Sequence, residues 1–251
     1  GSQENPFEIS TLDQLYWLSQ SDTAWDKHYI QTVDIDASAT SSWHNNNGFS
    51  PIGNISTPFT GTYNGDGYKI NNIVSNRPNQ NYIGLFGLVQ NGAKVTNLGI
   101  TGATISGKTN VGGLTGKLLN ATIQNCYTTG TLEATGYNWY AHAGGLLGKN
   151  LGTIEACYSS MSISSDHRIL GGFVGDNEGT IENSYATGDV TGADQGRVGG
   201  FVGDNQNGTI KYSYSKGAVV CNDYAHGGFN GYNEGSIEKC FWDKVTSGVN
   251  T

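Results

Sequence analysis

GGFVGDNEGTIENSYATGDVTG, Gly171 to Gly192, is the stretch on which the fold turns. Its apolar runs are only a few residues long and are broken by Gly, Asn and Asp. Runs of that length with those breakers read as short strands joined by turns, not as helices. The same phrase recurs along the chain as IGLFG, VGGLTG, AGGLLG, LGGFVG, VGGFVG and HGGFNG. Its aligned glycines are Gly84, Gly113, Gly145, Gly172, Gly200 and Gly228, spaced 29, 32, 27, 28 and 28 residues apart. A period near 28 with three short strands per unit fits one coil of a parallel β-solenoid, each coil resting on the next at ~4.8 Å.

Stacked coils predict columns of like residues, and the sequence contains them. Ile123, Ile154, Ile181, Ile210 and Ile237 fill one position, with Val95 before them. An exposed ladder of isoleucines would invite aggregation, so this column belongs inside. Cys126, Cys157, Ser184, Ser213 and Cys240 form a small-residue column in the interior or at a bend. Beside it stand Tyr127, Tyr158, Tyr185, Tyr214 and Phe241, whose side the sequence leaves open. Asn150, Asn177, Asn205 and Asn233 form a turn column, followed by Gly152, Gly179, Gly208 and Gly235. Asparagine tolerates left-handed backbone, and stacked asparagines can bond from coil to coil.

The expected fold is therefore all-β: a right-handed parallel β-helix of about six coils, about 28 residues each, with a short N-terminal capping helix. Residues 1–80 read as cap and irregular first coils, and 81–251 as the repeats, in one continuous domain. Thr11 with Gln14 fits a capping box, and Leu12, Leu15, Tyr16 and Leu18 give the helix an apolar stripe. Tyr29 to Asp36 reads as a strand, and Asn64-Gly65-Asp66-Gly67 as a tight turn. The C-terminal end shows no cap, so its edge is expected to continue into further chain or to pack on a partner.

Composition narrows the function. The 251 residues hold 38 glycines and 14% charged residues, with 21 acids against 13 bases and a net charge of −8. That balance supplies no basic face for nucleic acid. No apolar run reaches the ~18 residues of a transmembrane helix, and no charged-then-apolar leader opens the sequence. Four cysteines are too few for a disulfide framework in a chain this long. In-register side chains point in parallel, so Cys126 and Cys157 are expected to remain thiols.

Gly171–Gly192 resembles the GLUG repeat of bacterial surface proteins, whose core here reads GLFG, GLTG, GLLG, GFVG, GFVG and GFNG. PFTGTYNGDGYKINNI from Pro58 is similar to the lead-in of such repeats, and CFWDKVTSG from Cys240 to the segment that follows the last one. The resemblance implies a secreted or surface-anchored β-helix, adhesin-like, at the bacterial cell surface or outside the cell. Similar repeats also occur in some immunoglobulin A peptidases, outside the catalytic domain. Two alternatives stay open: an accessory repeat domain of such a peptidase, or a carbohydrate-active β-helix enzyme.

No catalytic residues are assigned. The histidines His28, His44, His142, His167 and His226 show no HExxH pattern, so no zinc peptidase site is read. Asp176 and Asp204 share one column and would suit a paired-carboxylate site. The same column holds Lys117, Lys149 and Tyr232, which reads more simply as an exposed turn. Calcium is a weak option, because the period is far from the nine residues of known glycine-aspartate ion repeats, and no cofactor is expected. The longest repeat carries an insert with Tyr137, Trp139, Tyr140 and His142. That aromatic group is the candidate binding surface, for a host glycan or an extracellular protein.

Overall fold

A computed structural model describes residues 1–136, 141–165, 169–192, 196–221 and 226–249. It is a parallel β-solenoid built from two long sheets. In the middle coils the three expected strands are clear, as in Leu147–Glu155, Tyr158–Ser165 and Ile169–Gly171. In the next coil the path breaks into five shorter strands from Val174–Asn177 to Arg197–Gly199.

The isoleucine column pairs in register from Ile123 to Ile237. It begins earlier than the repeats suggest: Val95 pairs with Tyr63, and Tyr63 with Tyr29. Both tyrosines are buried. The Tyr29 hydroxyl donates to Ala24 O and the Tyr63 hydroxyl to Gln31 Oε1, which satisfies their polar ends. The N-terminal segment thus supplies the first rungs of the same sheet. Helix Leu12–Gln20 has the expected capping box, with Leu15 and Leu18 buried. Tyr16 departs from the expected stripe and is exposed, since its ring leans onto Trp43 rather than into the core.

The glycine column exists because the coils approach too closely for any Cβ. A methyl group on Gly172 would overlap the carbonyl oxygen of Gly200, and one on Gly200 that of Gly228. Inside the column Phe173, Phe201 and Phe229 stack with centroids 4.8 Å apart. The tyrosine column lies along the surface, half-exposed, with rings stacked at 4.8 to 5.4 Å.

The Cys/Ser column follows a rule that the sequence reading did not reach. Each residue before it has left-handed backbone: Asn125, Ala156, Asn183, Tyr212 and Lys239. At that corner each small side chain donates to the carbonyl two residues back, and Cys157, Ser184 and Ser213 also accept the amide of the preceding coil. Cys126 N donates to Cys157 Sγ (3.3 Å), Cys157 N to Ser184 Oγ (3.2 Å) and Ser184 N to Ser213 Oγ (3.3 Å). The position needs a short group with both a hydrogen and a lone pair, which is why only Ser and Cys occur. Cys126 and Cys157 are thiols.

At the C-terminal end a short element covers part of the core, while the last strands, Asn230–Asn233, Ser236–Glu238 and Phe241–Trp242, stay partly exposed. A short helix, Lys244–Ser247, follows Asp243, whose side chain accepts from Val245 N and Thr246 N. Trp242 Nε1 donates to Val249 O (3.3 Å), and Val249 is buried.

Two substitutions test the ladders. Cys157→Ala should cost roughly 1–3 kcal/mol by stranding the Cys126 amide, whereas Cys157→Ser should cost less than 1 kcal/mol. Denaturant unfolding of both variants measures the difference.

Candidate functional site

The asparagine column forms a continuous chain of hydrogen bonds. Asn150 Nδ2 donates to Asn177 Oδ1, Asn177 to Asn205 and Asn205 to Asn233, each at 2.7 Å. Each amide thus has one role fixed by the coil above and one by the coil below. Asn150, Asn177 and Asn205 are fully buried. One residue before it in each coil runs the column Lys149, Asp176, Asp204 and Tyr232, in register.

This neighbouring column is not an exposed turn. Asp176 is 1% exposed and Asp204 0%. The paired short strands Val174–Asn177 and Val202–Asn205 turn Asp176 and Asp204 into the flank, where basic side chains of the solenoid meet them. Lys149 Nζ lies 2.6 Å from Asp176 Oδ2 and 2.6 Å from Glu178 Oε1. Arg197 donates to Asp204 Oδ2, as does Gln206 Nε2 at 2.8 Å. The Arg197 guanidinium also lies 4.0 Å from the centroid of the Tyr232 ring. The second oxygens of Asp176 and Asp204 are buried without a hydrogen-bond partner. Lys149, Asp176, Glu178, Arg197 and Gln206 line a cleft of about 530 Å³ together with His142.

Burial raises the pKa of Asp176, opposed by the hydrogen bond and charge of Lys149. Burial also works against the charge on Lys149, but Asp176 and Glu178 outweigh it, and the ammonium is held above its ordinary value. The lysine is therefore charged across the physiological range.

His142 is the one member of the expected aromatic group that falls within the described residues. Tyr137, Trp139 and Tyr140 lie outside them. His142 is not an exposed loop residue. It sits in strand His142–Gly144, 6% exposed, with Nδ1 3.2 Å from Asn110 Oδ1. Burial pushes its pKa down to about 3, helped by the positive charges of Lys149 and Lys117. The ring is neutral at pH 7, so its 3.7 Å approach to Asp176 is a polar contact and not an ion pair.

The comparisons with known proteins bear on this architecture. A family model described as the GLUG motif matches residues 107–133, 167–191 and 194–220. Those three stretches are GLUG motifs. Gly113, Gly172 and Gly200 of the close-packed column fall within those three stretches. The chain is 39% identical to halomucin of Haloquadratum walsbyi over 153 residues, 59% of this chain and 2% of that protein. It is 37% identical over 123 residues to a "Putative Gly-rich membrane protein" of Evansella cellulosilytica, covering 46% of this chain and 14% of that one. The chain therefore spans only a small part of these curated relatives. A crystal structure of a "putative immunoglobulin A1 protease" from Bacteroides ovatus superposes with a TM-score of 0.68 at 22% identity. That match covers 96% of this chain and 76% of the other, a likeness of fold.

Two measurements follow from the cleft. The pKa of His142 is depressed in the fold, so its contribution to stability is complete above pH 6.5. It is lost as the pH falls toward 3, by at most about tenfold in the folding constant per pH unit. His142→Gln should flatten that part of the stability curve relative to the unaltered chain. Lys149→Met should destabilise the fold by roughly 3 kcal/mol at pH 7, because it leaves the buried Asp176 carboxylate without its cation. Equilibrium unfolding across pH reads both.

Proposed function

We propose that this chain is a non-catalytic GLUG solenoid module displayed outside the cell, adhesin-like, which holds a glycan or a protein partner. One observation carries the non-catalytic reading. Asp176 and Asp204 stand in register on adjacent coils, as a paired-carboxylate site would, yet each is buried and engaged by a basic residue, Lys149 or Arg197. Acid–base work on a substrate requires a carboxyl group within hydrogen-bond reach of the reacting atoms. Here Lys149 ties Asp176 to the preceding coil, and Arg197 closes on Asp204 within one coil.

The extracellular placement draws support from the GLUG motifs and from the relatives named halomucin and Gly-rich membrane protein. Among the described residues no helix is long and apolar enough to cross a membrane. A second reading, an accessory domain beside a peptidase, draws support from the fold shared with the Bacteroides ovatus protein over nearly the whole chain.

Incubating the chain with arrayed glycans and mucosal proteins, immunoglobulin A1 among them, tests the proposal. Retained protein and released fragments are measured together. Saturable retention without fragments is the expected result. Cleaved immunoglobulin or hydrolysed glycan would overturn the non-catalytic reading, and the absence of any retention would overturn the binding role.

A further inference from the structure

A second concave surface lies at the N-terminal cap, on residues separate from the flank cleft. Helix Leu12–Gln20 presents Asp13 and Tyr16, three residues apart and so on one face. Opposite them stand Trp43 and His44. The four side chains line an open cleft of about 380 Å³, within the size range of small-ligand sites.

The aromatic groups are held in place by their neighbours. Tyr16 and Trp43 meet edge to face, with centroids 4.9 Å apart and planes at 66°. Trp43 is half-buried and backed at 6.4 Å by Phe49, which is fully buried. The Tyr16 and His44 rings lie 6.0 Å apart. His44 reaches this position through a run of left-handed backbone: His44, Asn45 and Asn46 have φ of 51°, 58° and 66°. Three consecutive non-glycine residues in that region carry strain, which persists only where surrounding contacts over-determine it. Gly48 N donates to Trp43 O (3.0 Å) and Phe49 N to Val74 O (2.7 Å), fastening the turn to the solenoid.

The lining chemistry selects a ligand class. The exposed Tyr16 ring, braced edge to face by Trp43, offers an apolar surface to the C–H face of a sugar ring. The exposed Asp13 carboxylate is an acceptor for its hydroxyls, and the His44 imidazole can donate or accept. No lysine or arginine lines the cleft, so nothing there favours an anion. We propose that the cleft of Asp13, Tyr16, Trp43 and His44 binds a neutral hexopyranose unit of a glycan. The sugar ring stacks on Tyr16, which Trp43 braces, and its hydroxyls bond to Asp13. This deepens the binding role proposed above by naming a ligand class and a second site.

The test applies the whole 251-residue chain to an array of neutral hexose and N-acetylhexosamine oligosaccharides. The best retained oligosaccharide is then titrated in solution. Tyr16→Ala should weaken binding about tenfold, as expected for loss of an aromatic anchor. Asp13→Asn, which preserves shape, should weaken it several-fold. Tyr212→Ala, an exposed aromatic on the solenoid surface, should leave binding unchanged. Thermal unfolding of each variant confirms that the fold is kept. Retention of no oligosaccharide, or equal affinity in Tyr16→Ala and Asp13→Asn, would overturn the inference. Retention of a mucosal protein with no oligosaccharide would overturn this inference alone and leave the broader binding role standing.

Discussion

Each coil's backbone amides are satisfied by the coils beside it, and everything else in the structure depends on that. Along the glycine column Phe86 N donates to Leu114 O, Leu114 N to Leu146 O and Leu146 N to Phe173 O. The series continues from Phe173 N to Phe201 O and from Phe201 N to Phe229 O, all between 2.8 and 3.0 Å. A buried amide left without a partner would cost ~1–3 kcal/mol. No coil can therefore stand alone, and stability grows with the number of neighbours, as in other one-dimensional repeats. The glycines follow from the same constraint, since a side chain at Gly172 or Gly200 would push the coils apart.

Side chains then add their own coil-to-coil bonds at the corners. Asparagine, with one donor and one acceptor face, suits a column in which each member must do both. Serine and cysteine meet the same requirement with fewer atoms where the backbone turns left-handed. The Lys149–Asp176 pair is the charged counterpart on the flank, and Arg197, paired with Asp204 in its own coil, reaches the Tyr232 ring of the next. In this way the cleft that looks most like an active site is made of the groups that tie coils together. The cap cleft differs in kind: its rings and carboxylate are not spent on stacking and face outward.

The coil period, the isoleucine core and the asparagine turns were legible because stacking turns a local requirement into a repeated letter. The Cys/Ser column was visible as a pattern, but its cause was not. The donation to the residue two back and the acceptance from the preceding coil appear only in three dimensions. The column of Lys149, Asp176, Asp204 and Tyr232 misled for a related reason. Mixed polar letters usually mean solvent, yet here unlike residues pair with basic groups brought beside them by folding. His142 was legible as unusual, but its neighbours Asn110 and Asp176 are about 30 residues away on either side. The cap cleft gave no sequence signal, because Tyr16 and Trp43 lie on separate elements and a left-handed turn brings His44 to them.

Amide hydrogen exchange along the glycine column tests the account most directly. Phe173 and Phe201 donate to a following coil, whereas the coil that holds Phe229 is the last one described, and its strand Asn230–Asn233 is far less buried than Val202–Asn205. In the 251-residue chain, the amides of Phe173 and Phe201 should therefore exchange orders of magnitude more slowly than that of Phe229. Equal protection at all three positions would contradict a fold held together by coil-to-coil donation.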